Sequence, residues 1–218
     1  MSSGPDLKRT TVYGNVFFHL LPYIEQDNLL KKGVLTHEWF GTIYVPWKDD
    51  VAKARIRMYI NESDPSIDPE APAGFGCYAY NAQVFAVFDR EGTLQSWKGA
   101  AKIPASFPDG TSNTIVTAQK YALCGDAGTR WAAWQADRWL PVFAVWSVGP
   151  ESIFQVRPTP YLGPACDPVR ASTPHENGIV VGLGDGSVRT LAPSMSPKTW
   201  WAACTPAAND SLGDDWRE

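Results

Sequence analysis

Apolar positions first recur at helical spacing just after Asn15, where Phe17, Leu20, Leu21, Ile24 and Leu29 predict a helix ending at Lys31-Lys32-Gly33. Pro22 falls inside this run, so the helix begins or kinks there. Beyond it the pattern changes to short apolar runs, which predict strands at 43–45, 56–60, 78–88, 114–122, 142–146, 153–156, 179–183 and 187–191. Turn residues separate them, as in Ser63-Asp64-Pro65, Asp89-Arg90-Glu91-Gly92 and Pro108-Asp109-Gly110. Ser196 as N-cap and Pro197 at the first helical position open a second short helix through Ala203. Helix, then mostly sheet, then helix is an α+β order.

Composition narrows this picture. The 218 residues are 44% hydrophobic and 19% charged, with 18 Gly and 18 Pro in no period, which suits a turn-rich folded chain rather than disorder. Residues 1–14 read as a flexible leader or remnant and 15–218 as one globular domain. The net charge is -4 with no long run of either sign, so the chain offers no track for nucleic acid. No apolar run approaches the roughly 18 residues of a membrane span. Cys77, Cys124, Cys166 and Cys204 contain no Cys-x-x-Cys pair, which leaves two readings, disulfides outside the cytoplasm or buried free thiols.

His175 and Asp185 carry the residue types of an active site. Asp185-Gly186, however, is the dipeptide preferred by a two-residue type I′ hairpin. That turn would set Leu183 opposite Val188, Val181 opposite Thr190, Ile179 opposite Ala192 and Val180 opposite Leu191. Ten residues at about 3.3 Å each place His175 roughly 33 Å from Asp185 along a straight strand, beyond hydrogen-bond reach. Both Asp-Gly elements, Asp109-Gly110 and Asp185-Gly186, are then explained by carboxylates capping their own turns.

His175, nine intervening residues and Asp185-Gly186-Ser187-Val188 resemble the C-terminal signature of prepilin-like proteins abundant in planctomycetes, named for a His-x9-Asp-Gly element and carrying a family-10 solute-binding domain of unknown function. Leu20-Leu21-Pro22-Tyr23-Ile24-Glu25-Gln26 looks like that family's "LLPYIEQ" element, and Asp109-Gly110-Thr111-Ser112-Asn113-Thr114-Ile115 like "DGTSNTI". Ser63-Asp64-Pro65 and Thr199-Trp200-Trp201-Ala202 resemble its "CPSDP" and "TWxAL" positions, so the likeness runs from about Asn15 to the C-terminus. Asn61-Glu62 stand where the family has Cys-Pro, and Gln119 replaces an acidic residue. The family's leader and long hydrophobic N-terminal helix are not found in the sequence.

The resemblance implies a pseudopilin-like head, with the N-terminal helix packed on an antiparallel sheet, exported to the periplasm or cell surface. Its partners are then other pseudopilin-like or envelope proteins in a surface or type II secretion-like assembly, and its membrane contact is only through the absent helix. In an exported chain Cys124–Cys166 is the preferred disulfide, since both lie in Gly- or Pro-flanked loops. Likeness to pseudopilins also raises Ca²⁺ as a cofactor, with Asn209, Asp210, Asp214 and Asp215 as oxygen ligands, although their spacing lacks the alternation of an EF-hand. No nucleophile elbow, phosphate-binding Gly-rich loop or His-Glu-x-x-His is present, so the expected protein is not an enzyme. Ten Trp residues support a second reading, a carbohydrate- or solute-binding module with Trp131, Trp134 and Trp139 as candidate ligand-binding residues. Exposure separates the two, because a concave face with at least two solvent-facing indoles favours binding, whereas buried ones favour assembly.

Overall fold

A computed structural model describes residues 11–37, 41–67, 74–135 and 137–216. The α+β order holds, but the N-terminal helix is broken. Asn15 caps α1 (Val16–Leu20), accepting from the Phe17 and Phe18 N–H groups; a 3₁₀ turn carries Leu21–Ile24, and α2 follows at Asp27–Lys32. Pro22 enters the 3₁₀ turn at a position where no N–H is required, and Glu25 ends it at φ 61°, a left-handed conformation no helix passes through. The remaining helices are α3 (Asp49–Ala52), α4 (Ala82–Phe85) and α5 (Pro197–Cys204), the last capped by Ser196 as expected.

A small sheet joins β1 (Thr11–Val12), β2 (Val34–His37) and β3 (Gly41–Tyr44). The later strands are β4 (Tyr78–Asn81), β5 (Val87–Phe88), β6 (Leu94–Ser96), β7 (Ile115–Gln119), β8 (Leu123–Cys124), β9 (Ala127–Gly128), β10 (Val142–Phe143), β11 (Gln155–Val156), β12 (Ser172–Thr173), β13 (Ile179–Leu183) and β14 (Val188–Leu191). β1 pairs in parallel with β3, so the leader boundary drawn at residue 14 falls inside folded structure, while residues 1–10 lie outside the described residues. Two strand expectations are corrected. Residues 56–60 hold a 3₁₀ turn at Arg57–Tyr59, and the 78–88 run breaks where Asn81 turns its side chain to cap α4.

The central sheet has the order β10-β4-β7-β13-β14, antiparallel except for the parallel β10–β4 edge. Neighbouring residues point to opposite faces of a strand, and the two cores follow that alternation. Ala79 and Phe143 join Ile179, Val181, Leu183 and α5's Trp200 on one face, while Tyr80 and Val142 join Phe17, Phe18, Tyr59 and Trp131 on the other. Asn81 locks the layers, its amide donating to the Ile115 and Cys204 carbonyls at 2.6 and 2.7 Å.

The β13–β14 register differs from the expected one by a residue: Ile179 faces Leu191, Val181 faces Arg189 and Gly182 faces Val188. Leu183 donates to the Ser187 carbonyl and accepts from Gly186 N–H, so the loop is three residues, Gly184 to Gly186, and only Gly186 needs positive φ (86°). Val188 therefore points outward, 72% exposed, while Leu183 is buried. Gly186→Val is expected to destabilise by about 1–3 kcal/mol through backbone strain alone, because a Cβ there meets nothing within 4 Å. Asp185→Asn should be nearly silent in the same urea titration, since Asn can still accept from the Ser187 N–H.

Candidate functional site

His175 and Asp185 sit at opposite ends of β13 and make no site together. The His175 backbone closes the turn to Gly178, and its N–H donates to the Thr173 hydroxyl. Asp185 accepts from the Ser187 N–H and hydroxyl, which hold its carboxyl below the usual range. The two Asp-Gly elements meet: Asp185 N–H donates to the Thr111 carbonyl and Gly184 N–H to that of Thr114. Asp109 corrects the expectation of a self-capping turn, because its carboxylate accepts from the Ala208 and Asn209 N–H groups at 2.8 and 3.2 Å, clasping the C-terminal segment.

Asp210 and Asp215, two of the oxygen-rich C-terminal residues, lie at opposite ends of α5. Asp215 accepts from Ser196 N–H and the Thr199 hydroxyl at the start of α5, whereas Asp210 accepts from Thr205 at its end. Eight helical residues at 1.5 Å each separate these ends by about 12 Å. Among the described residues no group of three or more His, Cys, Asp or Glu is placed to hold a metal, and no helix is long and apolar enough to cross a membrane.

Aromatic residues do converge. A groove of about 870 Å³ opens between the N-terminal segment and a wall that includes Trp134 and Leu140. Asn15 fixes this junction: while its Oδ1 caps α1, its amide donates to the Trp131 and Ala133 carbonyls at 2.7 and 2.6 Å. Tyr13 precedes the cap, and the 3₁₀ turn thrusts Tyr23 outward, 83% exposed. Trp47 and Trp134, 38% and 49% exposed, pack against one another with ring centroids 4.5 Å apart and planes tilted by 43°. Tyr80 and Phe85, in edge contact, also line the groove, as do Trp97 and Lys98. Burial lowers the His19 pKa from its ordinary value of 6.5, opposed by a hydrogen bond with the Gly14 backbone.

Of the three candidate indoles only Trp134 lines this groove. Trp131 is 1% exposed, its Nε1 donating to the Ala54 carbonyl, and Trp139 packs beneath the Arg130 guanidinium, 4.4 Å from its ring centroid. Trp47 and Trp97 also line the groove, and no local sequence signal sets them apart from the buried indoles.

Elsewhere the buried polar groups are structural. Asp64 of the Ser-Asp-Pro element accepts from Ser66 and from the Ala122 N–H, and Gln119 accepts from Thr173 and Val180. Cys124 and Cys166 are joined in a disulfide; Cys77 and Cys204 are buried thiols. The Cys77 Sγ lies 3.9 Å from the carbonyl oxygen of Asn61, the residue at the position where the resembled family carries cysteine. Lys120 is wholly buried, its Nζ donating to the Leu140 and Val142 carbonyls, and burial pulls its pKa from 10.5 to about 7 against the opposing pull of Asp167.

No family model, curated protein or solved structure matches this chain. The likeness to the planctomycete prepilin-like proteins therefore rests on the quoted elements alone.

Proposed function

We propose that the protein is a non-enzymatic, extracytoplasmic binding domain that holds a carbohydrate or small solute in its aromatic groove. The observation that carries this reading is the Trp47–Trp134 pair, two solvent-facing indoles lining one groove. Large exposed rings gathered in a groove suit a stacked ligand better than they suit water. The Cys124–Cys166 disulfide supports an oxidising compartment. The separation of His175 from Asp185 supports binding without chemistry.

The quoted sequence elements support a pseudopilin-like head carried on an envelope assembly, and the groove is then the solute site that the head presents. The Leu20–Gln26 segment joins the two ideas, because its 3₁₀ turn sets Tyr23 at the groove mouth.

Trp47→Ala and Trp134→Ala are each expected to weaken ligand binding at least tenfold while changing stability by less than about 1 kcal/mol, the usual effect of exposed substitutions. Tryptophan fluorescence titration against a panel of oligosaccharides and aromatic solutes measures the first, and urea denaturation the second. A panel bound equally by wild type and both variants overturns the groove as the site.

A further inference from the structure

We infer that the groove selects a flat apolar acid, an aromatic or alicyclic carboxylate, over a sugar or a cation. This deepens the binding proposal and rests on it. The first argument is an inventory of hydrogen-bonding groups. A sugar presents a hydroxyl at nearly every ring carbon, and each one buried without a partner is costly. Sugar hydroxyls are met by amides and carboxylates, and here the lining amide is already committed. Both Asn15 amide hydrogens go to the Trp131 and Ala133 carbonyls, and its oxygen goes to the Phe17 and Phe18 N–H groups. No carboxylate lines the groove among the described residues. What remains is rich in donors, the Lys98 ammonium, the indole N–H groups of Trp47, Trp97 and Trp134 and the phenol hydroxyls, beside the His19 ring and backbone. Such a set suits the acceptor oxygens of a carboxylate better than sugar hydroxyls, each of which also needs an acceptor.

The second argument is charge. Aromatic faces attract cations, yet a cation entering this groove meets Lys98 and no acidic group to offset it. Lys98 has no carboxylate partner among the described residues, so it is available to an incoming anion. The third is shape. The Trp47 and Trp134 rings pack against one another, centroids 4.5 Å apart and tilted by 43°, so they leave no slot between them and a planar body stacks on an outer indole face, with Lys98 in the same lining to meet its acidic end. Lys98 is exposed, which limits its pairing energy to that of a surface ion pair and sets a selectivity of at most about fivefold.

The test uses the full chain and three probes that share one ring system: 2-naphthoate, 2-naphthalenemethanol and 2-naphthylmethylamine, titrated calorimetrically at low salt alongside chitohexaose. The acid is expected to bind about two- to fivefold tighter than the alcohol, and the amine weakest. Lys98→Gln should remove the difference between acid and alcohol while leaving the alcohol's affinity unchanged, and added salt should weaken only the acid. Equal affinities for acid and alcohol, or a chitohexaose affinity above that of the acid, overturn the selectivity and leave the groove itself standing. Probes that bind wild type and Trp134→Ala equally overturn selectivity and groove together.

Discussion

Trp131→Ala is expected to lower folding stability by about 3–5 kcal/mol, the range for deleting a large buried aromatic side chain. The ring is buried among Phe17, Val51, Ile56 and Tyr59, with the Tyr59 ring centroid 5.9 Å away. Alanine would leave a cavity there and strip the Ala54 carbonyl of its indole donor. Trp134, three residues on and half exposed, provides the internal control. Urea denaturation of both variants should show a loss several times larger at 131 than at 134. A Trp131→Ala protein as stable as wild type would sink the assignment of this residue to the core.

Lys120 makes the second large effect, and it is read against pH. In the folded protein its amine titrates near 7, below the ordinary 10.5 that the unfolded chain shows. Below pH 7 both states hold the proton, and its burial penalises folding in full. Between 7 and 10.5 the unfolded chain binds a proton that the folded chain lacks, so stability rises with pH, by about 1.4 kcal/mol per unit. Burial raises the Cys77, Cys204, Tyr59 and Tyr80 pKa values, so these groups contribute the opposite slope once pH approaches their ordinary range. The rise should therefore be clearest from pH 7 to 8.5, where it amounts to about 2 kcal/mol. Lys120→Met should lose that slope. Parallel profiles for wild type and variant would show that Lys120 keeps its charge throughout.

The sequence was most legible where local chemistry decides structure. Ser196 followed by Pro197 starts α5 as expected, and Asp185-Gly186 turns the chain. The turn's length was misjudged because the Asp-Gly pair suits both a two-residue loop and a three-residue loop with one left-handed residue, and only the burial of Leu183 against the exposure of Val188 decides between them. The single N-terminal helix failed for a related reason. Its apolar spacing was sound, yet Pro22 and the left-handed Glu25 cut the backbone into three pieces while Phe17, Leu21, Leu29 and Leu30 still reached the core. The Cys124–Cys166 pairing agreed with the turn-rich setting of both residues. The groove was not legible, since its lining comes from residues 12–16, 19, 20, 23, 47, 80, 85, 97–99, 134 and 140. Nothing local to Trp131 and Trp134 says that one ring faces inward and the other outward.

The Asp109 clasp has a kinetic consequence. It joins residues 99 and 100 positions apart, and Asn81 reaches the Cys204 carbonyl across 123. Loop-closure entropy for such distant partners is met before their contacts return anything, so nucleation from the N-terminal third alone is unfavourable. Until residues near 204–209 have emerged, the Asp109 turn has no clasp and the β4 end no lock on α5. The core face that holds Trp200 and Cys204 is then expected to close late, after those residues emerge, whereas the opposite face, built from residues 17 to 142, needs none of them.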